Sequence, residues 1–339
     1  MRAISLVVVV ILFSVVIRNQ GLGQLVPNLG GQRVAISAFQ FLKIGVGARG
    51  VAMGESFVAV ANDVSALYWN PAGLVLFADN QAIASRTEYV ADIKHDFFGI
   101  AYHVSGEDAI GLSVSSLHMD DMEITTETQP FGTGRYFSFG DVAVALTYAK
   151  KMTDHFSFGA TLRYVEETLD VLTMRSIMVD LGTYYWTGLG SARFAVVISN
   201  FGADAQPKGT VSLYSGEKVS TFQSFSLPTM FKLGVALEAF ESETQRLTTS
   251  IQLNHPNDNS EHIRLGLEFA WQEMFFVRGG VKRTIGQPLF SGDATSEEDL
   301  SVGVGVKVAL GVSTVTADYA FSSFHRLGSV HRISVAFTY

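Results

Sequence analysis

The sequence predicts an all-β fold, a 14-stranded antiparallel transmembrane β-barrel with an N-terminal plug segment. Three observations predict it. From Gln81 onward, segments of about ten residues alternate apolar and polar side chains, the dyad pattern of a tilted strand with lipid on one face. The connections between them alternate short and long, as turns and loops do at opposite ends of a barrel. Ahead of them lies a Gly- and Ala-rich stretch, residues 43–77, that does not alternate.

The candidate strands lie near 81–91, 95–104, 109–119, 138–150, 155–166, 175–186, 190–199, 229–240, 246–255, 262–271, 274–284, 299–310, 312–321 and 330–339. In one of them Ile263, Leu265, Leu267, Phe269 and Trp271 share a face, and His262, Arg264, Gly266 and Glu268 share the other. A soluble sandwich also alternates. Aromatics near strand ends (Tyr148, Tyr185, Trp186, Trp271, Phe275) favour a membrane barrel, because they form an interfacial girdle. Loop sorting argues the same way. The short connections are 105–108, 151–154, 187–190, 241–245, 272–273 and 310–311; the long ones are 120–137, 167–174, 200–228, 256–261, 285–298 and 322–329. The short first hairpin, across 91–94, is the exception.

Residues 1–23 read as a secretory signal. Arg2 is its basic start, and residues 3–17 are an apolar run too short to span a bilayer. Gly21 and Gly23 suit a cut before Gln24. Residues 24–80 are then the lead and plug, and 81–339 the barrel. The expected location is the bacterial outer membrane, with both mature termini periplasmic and lipid around the wall.

Only 17% of the 339 residues are charged, and no apolar run of about 20 follows residue 20, which excludes a helical membrane bundle. The net charge is −8 with no basic cluster, a poor match to nucleic acid. There is no cysteine, hence no disulfide and no thiolate metal site. The eight histidines lack paired ligand spacing, and Asp120, Asp121 and Glu123 lack the calcium-loop ladder, so no metal and no cofactor are expected. Gly45 to Gly50 fits a dinucleotide fingerprint in letters only, because no βαβ unit surrounds it. There is no G-x-S-x-G motif, and an enzyme is not expected.

In the plug, Gly45, Gly47 and Gly54 permit a tight chain path, and Asp63 is placed to cap a short helix through Trp69. Asn70 precedes Pro71 and must leave the helical region, and Ala72 and Gly73 allow close approach to a wall. Arg49 is the lone charge among small residues, with Asp180 or Glu268 as candidate partners. Arg163, Asp180, Arg264, Glu268, Arg278, Lys282 and Lys307 fall on polar strand faces; against lipid each would cost several kcal/mol, so they are expected to face the lumen. The longest loop, 200–228, carries Phe201, Tyr214, Phe222 and Phe225, suited either to a partner or to folding back over the mouth.

The stretch GARGVAMGESFVAVANDVSALYWNPAGL, with Gly47, Arg49, Met53, Gly54, Asp63, Asn70, Pro71, Ala72 and Gly73 in place, resembles the N-terminal signature of the FadL-like outer-membrane barrel proteins, and most closely the PorV/PorQ family. That resemblance implies a non-enzymatic component of type IX-like secretion that binds exported cargo or secretion partners through its outer loops. The alternative it implies is a FadL-type channel for a hydrophobic ligand, released laterally beside the plug, with Asn70-Pro71-Ala72 as the gating element. A barrel hydrolase is the third reading.

Overall fold

The computed structural model describes residues 37–213, 216–285, 300–324 and 328–339. The expected signal peptide and lead, Tyr214 and most of the 285–298 connection lie outside these residues. Among the described residues fourteen antiparallel strands close into one barrel. They are β1 (Gln81–Glu88), β2 (Lys94–His103), β3 (Asp108–His118), β4 (Phe139–Lys151), β5 (Phe156–Leu169), β6 (Leu172–Trp186), β7 (Arg193–Gly202), β8 (Met230–Glu241), β9 (Gln245–Pro256), β10 (His262–Trp271), β11 (Phe275–Thr284), β12 (Leu300–Leu310), β13 (Ser313–Ser323) and β14 (Ser329–Thr338). Each pairs with its sequence neighbour, and β1 closes the ring against β14 from Gln81↔Thr338 to Glu88↔His331.

Alternation sorts the side chains as the sequence pattern requires. Ile333 is 59% exposed on the outer face, while Arg332 beside it is 1% exposed on the inner face. Leu112, Leu146, Leu162, Leu181, Leu267 and Val304 continue the outer apolar belt. The ladders pair each strand with a neighbour on both sides around a closed ring, the arrangement that lets β-structure cross hydrocarbon. At the short-turn end Trp271 stacks on Phe275, Phe337 on Tyr339, and Tyr185 lies against Phe194, which gives an aromatic girdle.

One expected loop is absent. Residues 167–174 do not form a long connection: β5 and β6 stay paired to Leu169↔Leu172, and only Asp170 and Val171 turn, with Asp170 at φ 52. The polar run Glu166-Glu167-Thr168 hides the strand in sequence. Glu166 faces outward and pairs with Arg175 at 3.0 Å, while Glu167 faces inward.

Residues 37–77 lie inside the wall. They form a 3₁₀ turn (Gln40–Lys43), α1 (Ala48–Ala52), α2 (Ala66–Trp69) and a second 3₁₀ turn (Pro71–Val75). Val51, Met53, Phe57, Trp69 and Leu74 of this inner segment form the molecule's main apolar core, together with Phe97, Tyr184 and Val197 of the wall. The fold therefore has its core where a soluble protein would, but its outer surface is apolar as well.

The wall makes room by using glycine. A methyl group at Gly159 would overlap Pro71, and one at Gly182 would overlap Asn70. Gly280 meets Met53 and Gly54, Gly266 meets Met53, and Gly234 meets Val58. These inward positions admit the inner backbone only because they lack a side chain.

Candidate functional site

The inner segment starts at the long-loop end. Ala38 N–H donates to Ser226 O at 3.0 Å, in the connection after β7. The C-terminal Tyr339 instead lies at the short-turn end, donating to Asn80 O at 2.9 Å. Ser37 and Tyr339 are thus at opposite ends of the barrel.

Polar wall side chains hold the inner backbone. Gln252 Oε1 accepts from Phe57 N and Val58 N at 2.9 and 3.0 Å, Ser334 Oγ accepts from Ala48 N, and Arg193 Nε donates to Ala59 O at 3.0 Å. Asn70 ties the inner segment to itself and to the wall: its Nδ2 donates to Val58 O and Thr183 O, and its Oδ1 accepts from Ala72 N at 3.1 Å. Its backbone is extended, with φ −159, as the following proline demands, and Pro71 opens the next turn. Asp63 does not cap α2 directly, because Ser65 occupies the cap position. Asp63 Oδ1 accepts from Ser65 N at 2.9 Å, so the cap lies two residues after the position the sequence suggests and Asp63 braces it.

Charges form two tiers. Toward the short turns, Arg49 binds Glu268 with Nε–Oε2 2.8 Å and Nη2–Oε1 3.0 Å, and Asp63 with Nη1–Oδ2 2.6 Å. Arg278 joins Glu268 at 2.7 Å to Asp318 at 2.6 Å. Burial works against the Arg49 charge, but Glu268 and Asp63 outweigh it and raise its pKa above the usual arginine range. Toward the long loops, Arg264 pairs with Glu55, and Arg163 bridges Asp180 at 2.6 Å and Asn200 at 2.7 Å. Burial pushes the Glu55 carboxyl up, and Arg264, Lys282, Arg332 and Lys232 pull it below its ordinary value.

Of Arg49's two candidate partners, Glu268 is the one it meets; Asp180 belongs to Arg163. Lys282 lines the cavity at the long-loop end, and Lys307 lines a smaller one at the short-turn end. Gly45 to Gly50 packs within the inner segment, where a methyl group at Gly50 would lie 2.7 Å from Trp69 Nε1. Glu123 accepts from Gly134 N at 2.8 Å, and Asp120 pairs with Lys94. Sequence reasoning missed Glu55, Gln252 and Asp258. Glu55, an acid inside a small-residue motif, was the detectable one.

The long-loop end holds a cavity of about 1450 Å³. Its wall includes Phe39, Phe139, Leu172 and Met174, with Glu55, Lys282 and Arg332 among its charged residues. Of the loop aromatics, Phe222 and Phe225 line this cavity, whereas Phe201 is on the outer face of β7, 64% exposed. Lys43, Ser37 and Gln40 converge on Asp258 in the β9–β10 turn, with Lys43 Nζ 2.7 Å from Oδ1.

A family model described as Type IX secretion system protein PorV matches residues 28–256. The chain belongs to the PorV family. It is a type IX secretion barrel of the outer membrane. Solved structures with the same fold include the CymD monoaromatic hydrocarbon channel (14% identity, TM-score 0.57, covering 89% of this chain and 98% of that one). The Ralstonia pickettii toluene transporter TbuX is similar at 12% identity and TM-score 0.57, covering 87% and 97%. A Pseudomonas aeruginosa FadL homologue follows at 13% and 0.55, covering 87% and 98%. No curated protein matches the sequence significantly. The PorV match spans the inner segment and β1 to β9, including the long 203–229 connection.

Proposed function

We propose that the protein acts without catalysis, as the outer-membrane partner that receives exported proteins at its long-loop end. In this reading the long loops face outward, the short turns face the periplasm, and the inner segment is a plug that closes the lumen. The observation that carries it is the PorV match across the inner segment and the 203–229 connection. That connection folds over the cavity through the Ala205–Phe225 and Ser37–Ser226 bridges, which gives partners a shaped, partly apolar face.

A second reading has one specific observation behind it. The β6–β7 register shifts between Val179 and Leu181, and Gly182 next to that break is where Asn70 meets the wall. Lateral release of a hydrophobic molecule beside Asn70-Pro71-Ala72 would use such a weak seam, and the solved relatives include hydrocarbon channels.

Purification from the native outer membrane in mild detergent separates the two. Co-purifying secreted proteins support the secretion role. A preparation free of them that carries apolar small molecules would replace it with the channel.

A further inference from the structure

Six carboxylates are buried among the described residues: Glu55, Asp141, Asp180, Asp258, Glu268 and Asp318. Five are in ion pairs with lysine or arginine. Asp141 has no such partner. It is 2% exposed, and its Oδ1 has no hydrogen-bond partner. An ionised carboxylate taken from water without a partner is unfavourable, so this group keeps its proton until a cation is brought to it, and then ionises.

Its neighbours define what would complete it. Leu117, Asp141, Glu167 and Met174 are successive register partners on β3, β4, β5 and β6, and all four line the large cavity. The row reads apolar, acid, acid, apolar. Glu167 accepts from Phe39 N at 2.9 Å and forms no ion pair among the described residues. Phe39 and Phe139 line the same cavity. Among the described residues no third acidic or imidazole group joins the pair to make a metal cluster. Calcium would want six or more oxygens. An organic cation wants two carboxylates, nearby aromatic faces and apolar flanks, which this wall supplies.

We propose that the Asp141–Glu167 wall binds a lysine or arginine side chain presented between apolar residues of a protein partner. The identity of that partner rests on the secretion reading; the cation chemistry does not. The test uses the purified full chain in detergent and fluorescence anisotropy with two labelled hexapeptides, acetylated and amidated. One carries a single lysine between phenylalanines, and the other has norleucine in its place. The lysine peptide is expected to bind at least about tenfold more tightly. Asp141→Asn should bring the two within about twofold, and Glu167→Gln should narrow the gap partway. Norleucine-peptide affinity should stay unchanged in both variants, and Asp141→Asn should leave the unfolding temperature the same or higher, because it removes an unpartnered buried carboxylate. Equal binding of the peptides to the native protein, binding of neither, or a preference that survives Asp141→Asn would overturn the proposal. Secreted proteins that co-purify while the peptides are not discriminated would sink this inference alone. Discrimination without co-purifying proteins would sink the secretion role alone and leave the cation site.

Discussion

Arg49 holds Glu268 side-on, with two hydrogen bonds of 2.8 and 3.0 Å between the inner segment and strand β10. A paired fork of this kind fixes direction as well as distance. It therefore sets how α1 sits against the wall. The same carboxylate is held by Arg278, so the inner segment and two strands share one charge centre.

Arg49→Ala should loosen the inner segment. Glu268 keeps Arg278, but Asp63 loses its guanidinium, and a loss of about 3 kcal/mol is expected. Faster proteolysis within residues 37–77 and a lower unfolding temperature in detergent are the readouts. Unchanged protease resistance and unchanged pore conductance would remove Arg49 from its proposed role.

Gly182→Ala should displace Asn70 and Pro71, since the added methyl overlaps the Asn70 side chain. Overpacking of this size costs about 1–3 kcal/mol. The native chain has no cysteine, so Ala72→Cys is a clean reporter. Its labelling rate should rise in the Gly182→Ala background; an equal rate in both backgrounds would mean that the wall yields instead.

Asp258 gives a pH signature. Burial raises its carboxyl pKa, but Lys43, Ser37 and Gln40 outweigh burial and hold it below the ordinary aspartate range. A depressed folded pKa contributes stability that is present above about pH 4 and is lost as pH falls through the folded value. Asp258→Asn should therefore lower the unfolding temperature at neutral pH, by about 2 kcal/mol of stability. The gap to the native protein should close as pH falls below the ordinary aspartate range and through the folded value. A gap that is constant with pH would show that the charge of Asp258 contributes nothing.

Leu162→Arg tests the membrane face. Leu162 is exposed on the outer face of β5, where arginine near the midplane costs about 2–4 kcal/mol in lipid. Folding into bilayers should suffer by that amount, while unfolding in water-exposed parts of the protein is untouched. A neutral result would mean that this face does not meet hydrocarbon.

Sequence alone determined the strand number and the two faces of the wall. Alternation has a period of two, so an apolar residue at Leu162 and a charge at Arg163 must point to opposite sides. It also marked residues 43–77 as a segment that packs closely, because glycine, alanine and Asn70-Pro71 restrict the chain locally. Local rules stopped there. The β5–β6 extension past Glu167 was hidden by a polar run, since the sequence shows polarity but not which face it serves. Strand glycines such as Gly159 and Gly182 carry no mark of their role in the sequence, and only the tertiary structure makes them the sockets for Pro71 and Asn70. Ion-pair choice was also out of reach. Arg49 met Glu268 rather than Asp180, and Asp141 was left without a cation, because pairing depends on height and angle around a closed ring. Those coordinates exist only once the ring has closed.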